Sequence, residues 1–197
     1  VYVPLPVVPE NVATAVSSLS SLGIRGINVT VPHKQAVLPL LDEVELGAQA
    51  IGAVNTIVVR ENGRLSGHNT DWSGFQADLQ ALGVSVADRD CLLLGAGGSA
   101  RAVAYALAKS GARVHILARR VVQAEALIAD LRPFLPQAQF TSQPFSNLEK
   151  ISATLHAPLI INSTPLGMTP DENSTPWPFE LTFPKDAIVY DLVYNPR

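Results

Sequence analysis

The sequence predicts an α/β protein of two domains: a short α/β domain over residues 1–71 and a doubly wound parallel sheet over residues 72–197. Two observations in the second half carry that prediction. Cys91-Leu92-Leu93-Leu94 and Leu159-Ile160-Ile161 are short runs, apolar throughout, as strands covered on both faces must be. They alternate with stretches of helical period at the interval of a strand–helix–strand repeat. The first half differs, because its elements are shorter and Asn62-Gly63 sits between two strand-like runs. With 197 residues, 47% hydrophobic and 16% charged, the chain has apolar surface enough for a real core. A formal net charge of −3 offers no electrostatic footprint for nucleic acid.

Taken in order, residues 1–5 read as a brief extended run. Val12, Ala15, Val16, Leu19 and Leu22 recur at helical spacing and predict a helix over 11–22 ended by Gly23. Residues 27–31 are rich in β-branched side chains and stop at Pro32, which has no N–H to give a ladder. Helices are expected over 33–41 and 44–50. Residues 55–60 and 65–68 form the arms of a hairpin, with Asn62-Gly63 in a type I′ turn. Trp72, Phe75, Leu79 and Leu82 mark the helix that opens the second domain. Beyond the strand at Cys91, helices are expected over 99–110 and 121–131, and strands over 113–117, 159–161 and 187–190. The Pro- and Ser-rich stretch 169–178 reads as a surface loop.

No apolar run reaches the ~18–20 residues of a membrane span. Cys91 is the only cysteine, and the four histidines are scattered, so neither an intramolecular disulfide nor a metal site is expected. The opening Val1-Tyr2-Val3-Pro4 has no signal-peptide pattern and no initiator Met, and the chain reads as a piece of a longer one. Its single cysteine suggests a reducing, cytoplasmic setting.

Gly95-Ala96-Gly97-Gly98-Ser99-Ala100 fits G-x-G-x-x-[G/A], directly after an apolar strand and at the opening of a helix. There Gly95 permits the tight turn, Gly97 lets the backbone approach a pyrophosphate, and Ala100 allows close helix–strand packing. The phosphates would rest on free N–H groups at the helix start. The plainer alternative is a glycine turn that merely joins strand to helix. An NAD site places Asp or Glu about 20 residues on, to accept from the ribose 2′-OH. This chain has Leu117-Ala118-Arg119-Arg120 there, with no carboxylate. Two guanidiniums suit a 2′-phosphate, which makes NADP the expected cofactor.

Four stretches gather hydrogen-bonding groups at strand ends: Asn28-Val29-Thr30-Val31-Pro32-His33-Lys34, Gly52-Ala53-Val54-Asn55-Thr56, Gly67-His68-Asn69-Thr70-Asp71 and Asn162-Ser163-Thr164-Pro165-Leu166-Gly167-Met168. Lys34 is expected in the first turn of a helix, where the dipole disfavours its charge and tunes it towards proton exchange. Asp71 can cap the next helix or pair with a cation. Beside a nucleotide domain, a Lys–Asp pair supplies the proton donor–acceptor that carbonyl–alcohol redox requires. Singly, each has a plainer reading: Lys34 as a surface lysine, Asp71 as a cap, Asn55 as a strand-end turn residue. His33 and His68 read as structural, and Cys91 as a small core hydrophobe.

These stretches, with the glycine loop and Asp191-Leu192-Val193-Tyr194-Asn195-Pro196, resemble in their order the signatures of the shikimate dehydrogenase family. The resemblance runs over essentially the whole chain. It implies a Rossmann-like NADP domain over 72–197 and an incomplete substrate domain over 1–71, with the active site in the cleft between them. It also implies an oxidoreductase that reversibly reduces 3-dehydroshikimate to shikimate in chorismate and aromatic amino-acid biosynthesis. Lys34 and Asp71 would be the catalytic pair, and Thr30, Asn55, Asp71 and Tyr194 would line the substrate pocket. Gly95, Gly97, Gly98, Ser99 and Ala100 would cradle the pyrophosphate, with Arg119, Arg120, Thr164 and Met168 completing the cofactor site. Where the family commonly reads Asn-Arg-Thr, this chain has Ala118-Arg119-Arg120: Arg119 carries over and Arg120 keeps the charge. Gln123 stands where a further basic residue is often found.

The family's first strand, with its paired serines, and its C-terminal helix, with a glutamine, lie outside residues 1–197. The segment alone is therefore expected to bind NADP and turn over poorly. The other readings are a quinate/shikimate type with relaxed NAD/NADP use, a folate-linked dehydrogenase, and a nucleotide-binding module without turnover. No nucleic-acid or membrane partner is expected, and the protein would be a monomer or homodimer.

Overall fold

The computed structural model describes residues 3–170 and 172–193, and the chain folds as two compact units, Val1–Asp71 and Trp72–Arg197. In the first, α1 (Val12–Ser17) is followed by β1 (Gly26–Asn28), β2 (Glu43–Val44), α2 (Leu46–Ile51), β3 (Thr56–Val59) and β4 (Leu65–His68). The four strands make one sheet in the order β1-β3-β4-β2, antiparallel except for β2 alongside β4. Val12 and Val16 of α1, four residues apart, meet Val29, Val37, Ala48, Val54, Ile57 and Leu65 in a single core.

Several expectations for this unit are corrected. The helix over 11–22 shrinks to the six residues of α1. Its serines weaken the continuation: Ser17 Oγ and Ser18 Oγ donate to the Thr14 carbonyl at 3.1 and 2.8 Å and share it with Ser18 N–H at 3.1 Å, the back-bonding that makes serine a poor helix residue. The strand over 27–31 ends at Asn28. No α-helix forms over 33–41, where turns lead into a 3-10 turn at Leu38–Leu40. Pro39 is the cause, since its ring clashes with the carbonyl four residues back and it has no N–H to donate. The Lys34 carbonyl, which a helix would give to Leu38, instead accepts from Val54 N–H at 2.8 Å. With no helix here, no helix dipole acts on Lys34.

The hairpin β3–β4 forms, but not through a type I′ turn. Gly63 alone takes a positive φ, +79°, and Arg60 N–H reaches across to the Arg64 carbonyl at 2.8 Å. That is a three-residue loop closed by glycine, of the kind next in frequency to the two-residue turns. Residues 3–8 join no strand, and Val1 and Tyr2 lie outside the described residues.

From α3 (Thr70–Ala81) the chain enters the second unit: β5 (Asp90–Leu94), α4 (Gly98–Lys109), β6 (Arg113–Ala118), α5 (Val121–Leu131), β7 (Gln139–Pro144), α6 (Leu148–Ser152), β8 (Leu159–Asn162) and β9 (Ile188–Asp191). These five strands form the expected parallel sheet, in the order β7-β6-β5-β8-β9. α4 packs on β5 and β6, and α5 on β6 and β7. Leu92, Leu94, Leu117 and Ile160 form a core with Leu148 of α6 and Trp177. Leu93, Ile116 and Ile161 alternate with them and are equally buried, which is why the strands read as apolar throughout. The order reverses between β5 and β8, and open α/β sheets bind ligands outside the strand ends at such a switch point.

β2, β7 and α6 have no counterpart in the sequence reading. β2 is two residues long, and β7 reads Gln-Phe-Thr-Ser-Gln-Pro, a polar edge strand of weak β propensity. α6 has five residues, too few to show a period.

At the amino ends of the strands Asp90 accepts from Arg113 through two bonds of 2.8 Å and contacts His115 Nε2 at 3.0 Å. The Arg113 hydrogen bond, opposed in part by burial and aided by His115, lowers the Asp90 carboxyl from its ordinary 3.8 to about 2. Because the folded-state value is the lower one, this stabilisation is complete above the ordinary carboxylate range and fades as pH falls towards 2. We expect Asp90→Asn to cost about 1–2 kcal/mol near neutral pH, screened by the half-open Arg113. Thermal unfolding should show the two proteins converging as the pH is lowered towards 2.

Candidate active site

In the first unit, Lys34 and Asp71 meet directly. Lys34 Nζ donates to Asp71 Oδ2 at 2.7 Å, with the side chains 28% and 44% exposed, so the pair is formed yet open to a solute. The turn at Lys34 is held by Val54 N–H, and Asp71 by the start of α3. Asp71 does not cap that helix. Asn69 does, its Oδ1 accepting from Asp71 N–H at 3.0 Å while its amide donates to the Ala53 carbonyl. Asn55, almost fully buried, donates to Asp71 Oδ1 at 2.9 Å and to Thr70 Oγ1 at 3.0 Å. Its own Oδ1 accepts from Thr70 N–H at 2.9 Å and from Thr56 Oγ1 at 3.0 Å.

Thr30 is exposed before Lys34, and its carbonyl accepts from His33 N–H at 2.9 Å. Among the described residues no bond links Thr30 to the Lys34–Asp71 pair, and Tyr194 lies outside those residues. His33 is tied by its ring to the Val7 carbonyl at 2.8 Å, and His68 contacts Ser66 Oγ at 3.2 Å.

The second unit presents its glycine loop at the end of β5. Gly95 has φ +109°, and a Cβ there would stand 2.8 Å from Ser163 Oγ. Ser163 Oγ in turn donates to the Leu94 carbonyl at 2.7 Å, so the loops after β5 and β8 are locked together. Gly97 and Gly98 are different, since a Cβ on either meets no atom within 4 Å. They open α4, whose N-cap, Gly97, offers no side chain to its free N–H groups. Ala100, one turn in, is wholly buried. Arg119 and Arg120 are exposed at the end of β6, and Val121 begins α5. Bare amides at a helix start, room where side chains are missing, and two open guanidiniums fit a dinucleotide with a phosphate on its ribose.

Thr164 is held by Asn162, whose Oδ1 accepts from Thr164 N–H at 2.9 Å and Thr164 Oγ1 at 2.7 Å. The amide of Asn162 donates to Asp191 Oδ1 at 3.0 Å, across from β8 to β9. Met168 is exposed on the same loop, its N–H bonded to the Pro165 carbonyl. Among the described residues no group of His, Cys, Asp and Glu side chains could hold a metal ion, and no helix is long and apolar enough to cross a membrane.

The family model for the shikimate dehydrogenase substrate binding domain matches residues 1–57. Over its whole length the chain is 47% identical to a shikimate dehydrogenase (NADP(+)) from Salinibacter ruber, covering 69% of that protein. The chain belongs to the shikimate dehydrogenase family. Shikimate 5-dehydrogenase from Thermus thermophilus, solved with NADP(H) and shikimate, superposes with a TM-score of 0.78 at 35% identity, covering 96% of this chain and 66% of that one. Quinate dehydrogenase from Corynebacterium glutamicum, solved with NAD, gives 0.85 at 34% identity, covering 94% of this chain and 64% of that one. The chain spans about two thirds of the length of the curated shikimate dehydrogenases it matches.

Three residues that shape this candidate site stand in the quoted motifs but were given no role of their own from the sequence. Asn69 carried a signal, an Asn directly before a run of helical period. Thr70 and Asn162 carried none of their own. Each acts by filling the bonding capacity of a buried neighbour, which only the assembled fold shows.

Proposed function

We propose that the protein catalyses the reversible, NADP-dependent reduction of 3-dehydroshikimate to shikimate. The observation that carries this reading is the 2.7 Å contact between Lys34 Nζ and Asp71 Oδ2, half open to solvent within a chain of this family. Ketone reduction requires a proton on the carbonyl oxygen as the carbon receives a hydride. Lys34 is the proton donor in that direction and the acceptor in the other. Asp71 holds the lysine in place and accepts from a ring hydroxyl with its remaining lone pairs, and Thr30 and Tyr194 complete the substrate's surroundings. NADP, when bound, carries the hydride. Gly95, Gly97, Gly98, Ser99 and Ala100 receive its pyrophosphate, Arg119 and Arg120 its 2′-phosphate, and Thr164 and Met168 the loop side of the site. The substrate role belongs to residues 1–71 and the nucleotide role to 72–197. The wholly buried, lone Cys91 suits a reducing cytoplasm.

The test is NADP+ reduction followed by absorbance, with NADPH binding followed by fluorescence. Reduction that requires shikimate, at whatever rate, supports the reading. NADPH binding without any shikimate-dependent reduction would leave a nucleotide-binding module in its place. Quinate and NAD+ are the comparison substrates, since a relative of similar fold was solved as a quinate dehydrogenase with NAD. Replacing both Arg119 and Arg120 by Gln should weaken NADP+ binding by about 10- to 100-fold, the worth of charge-assisted bonds to the 2′-phosphate. NAD+ binding, which has no such phosphate, should stay within about twofold, and titration with the two cofactors reads the difference.

A further inference from the structure

We infer that Thr141 is a second reactive centre, a hydroxyl nucleophile served by His115 and Asp90 that takes an acyl group from activated esters. The inference is independent of the reaction proposed above. It starts from the register of the parallel sheet. Asp90 lies beside Arg113 and His115 beside Thr141, and Arg113 and His115 are two residues apart on β6. Register partners share a face of a sheet, as do residues two apart, so all four side chains stand on one face. Towards the carboxyl ends of the strands that face is apolar, where Leu92, Leu94 and Leu117 pack with Leu148 and Trp177. Towards the amino ends it is partly open, with Thr141 exposed and His115 20% exposed.

Two short contacts join the polar set. Thr141 Oγ1 lies 2.9 Å from His115 Nδ1, and His115 Nε2 lies 3.0 Å from Asp90 Oδ1. Arg113 holds the same carboxylate through Nε and Nη2, both at 2.8 Å. That pairing keeps Asp90 ionised at neutral pH, and an ionised carboxylate can only accept. The single proton of a neutral His115 ring is therefore on Nε2, which leaves a lone pair on Nδ1. Among the described residues the Thr141 hydroxyl is the partner of Nδ1, and it donates.

A hydroxyl that donates to an imidazole, itself oriented by a carboxylate, is the arrangement that activates a weak nucleophile. The step is acyl transfer. Thr141 Oγ1 attacks the ester carbonyl as its proton passes to His115 Nδ1, and Asp90 stabilises the imidazolium that forms. The bond from the acyl carbon to the leaving oxygen breaks, and that oxygen departs with the proton from Nδ1. Water then releases the acyl group from Thr141 as the acid, with His115 again the base. An exposed hydroxyl has little binding energy with which to distort an ester, so its donors are those with a good leaving group.

The test treats the whole chain with p-nitrophenyl acetate, follows nitrophenol release by absorbance and locates the adduct by peptide mass spectrometry. An acetyl group should be found on Thr141, and hydroxylamine should remove it, because it is an ester and not the amide that lysine forms. Thr141→Val keeps the shape and the strand propensity of the side chain. It should abolish the adduct with thermal unfolding and NADPH binding unmoved, and Thr141→Ser should retain the adduct. His115→Asn should slow acetylation at position 141 by about 100-fold, within what a positioned base contributes.

Folded protein that carries no acetyl group on Thr141 would overturn the inference. So would nitrophenol release that falls in His115→Asn but not in Thr141→Val, since the imidazole itself would then be the nucleophile. Should His115→Asn unfold, unmutated protein unfolded in urea takes its place. Acetylation of Thr141 that needs the fold supports the inference, and equal acetylation of the unfolded chain overturns it.

Discussion

Lys34→Ala should lower kcat for shikimate oxidation by about 10³-fold or more while leaving NADPH affinity within about twofold. The size follows from the role, since a positioned general acid–base contributes typically 10²–10⁴-fold. The selectivity follows from the chain: Lys34 sits in the unit Val1–Asp71, and every residue assigned to the nucleotide lies in Trp72–Arg197. Loss of the ammonium also leaves Asp71 Oδ2 without its 2.7 Å partner. Lys34→Arg separates the two effects. Arginine keeps a cation beside Asp71 but does not give up its proton in proteins, so a charge-only role would be largely rescued and a proton-transfer role would not. We expect no rescue. Fluorescence titration of NADPH alongside the rate measurement completes the test, and a lysine variant that no longer binds NADPH would show that the division of labour is wrong.

The parts of the fold legible in the sequence are those in which one local rule dominates. The 121–131 prediction coincides with α5 because helical spacing runs uninterrupted until Pro133. β5 and β8 were legible because burial on both faces forces an unbroken apolar run. Cys91, read as a core residue, is wholly buried, and that burial pushes its thiol up to about 12, well away from any reactive range. The first unit was read less well because competing local rules decide its elements. Residues 33–41 have apolar spacing that suits a helix, yet Pro39 forbids the bonds. Residues 17–21 continue a helical pattern, yet serine hydroxyls share the carbonyls of Thr14 and Ser18 with the backbone donors and weaken the helix there.

The site shows the same split. Lys34 and Asp71 were legible as a pair of residue types in a known motif order, and the fold places them in contact. The reason offered for Lys34, a helix dipole, does not survive, because the helix is not there. The bonding of Asn55 and the cap at Asn69 depend on which atoms face which, and that is information the chain order does not hold.

The second large effect is expected in the glycine loop, where two neighbouring glycines are required for different reasons. Gly95→Ala should destabilise the fold by about 2–4 kcal/mol, from a side chain forced to a positive φ and pressed into a packed neighbour. Its φ is +109°, and the added Cβ would stand 2.8 Å from Ser163 Oγ and 3.2 Å from Thr164 Cγ2. Ser163 cannot yield freely, because its hydroxyl is committed to the Leu94 carbonyl. Gly97→Ala meets no such obstacle: φ is −84° and no atom lies within 4 Å. Its cost to stability should stay near the ~0.5–1 kcal/mol that separates Gly from Ala at an N-cap.

If the protein's own packing were the only reason for glycine at position 97, alanine there would be nearly silent. The cradle reading demands otherwise, since a methyl group would occupy the space through which the backbone approaches a pyrophosphate. NADPH affinity should therefore fall about tenfold or more in Gly97→Ala with unfolding almost unmoved, whereas in Gly95→Ala it is the unfolding midpoint that drops. Equal NADPH affinity in Gly97→Ala and the unmutated protein would reduce the loop to a plain strand–helix turn, and the cofactor assignment would lose its structural basis.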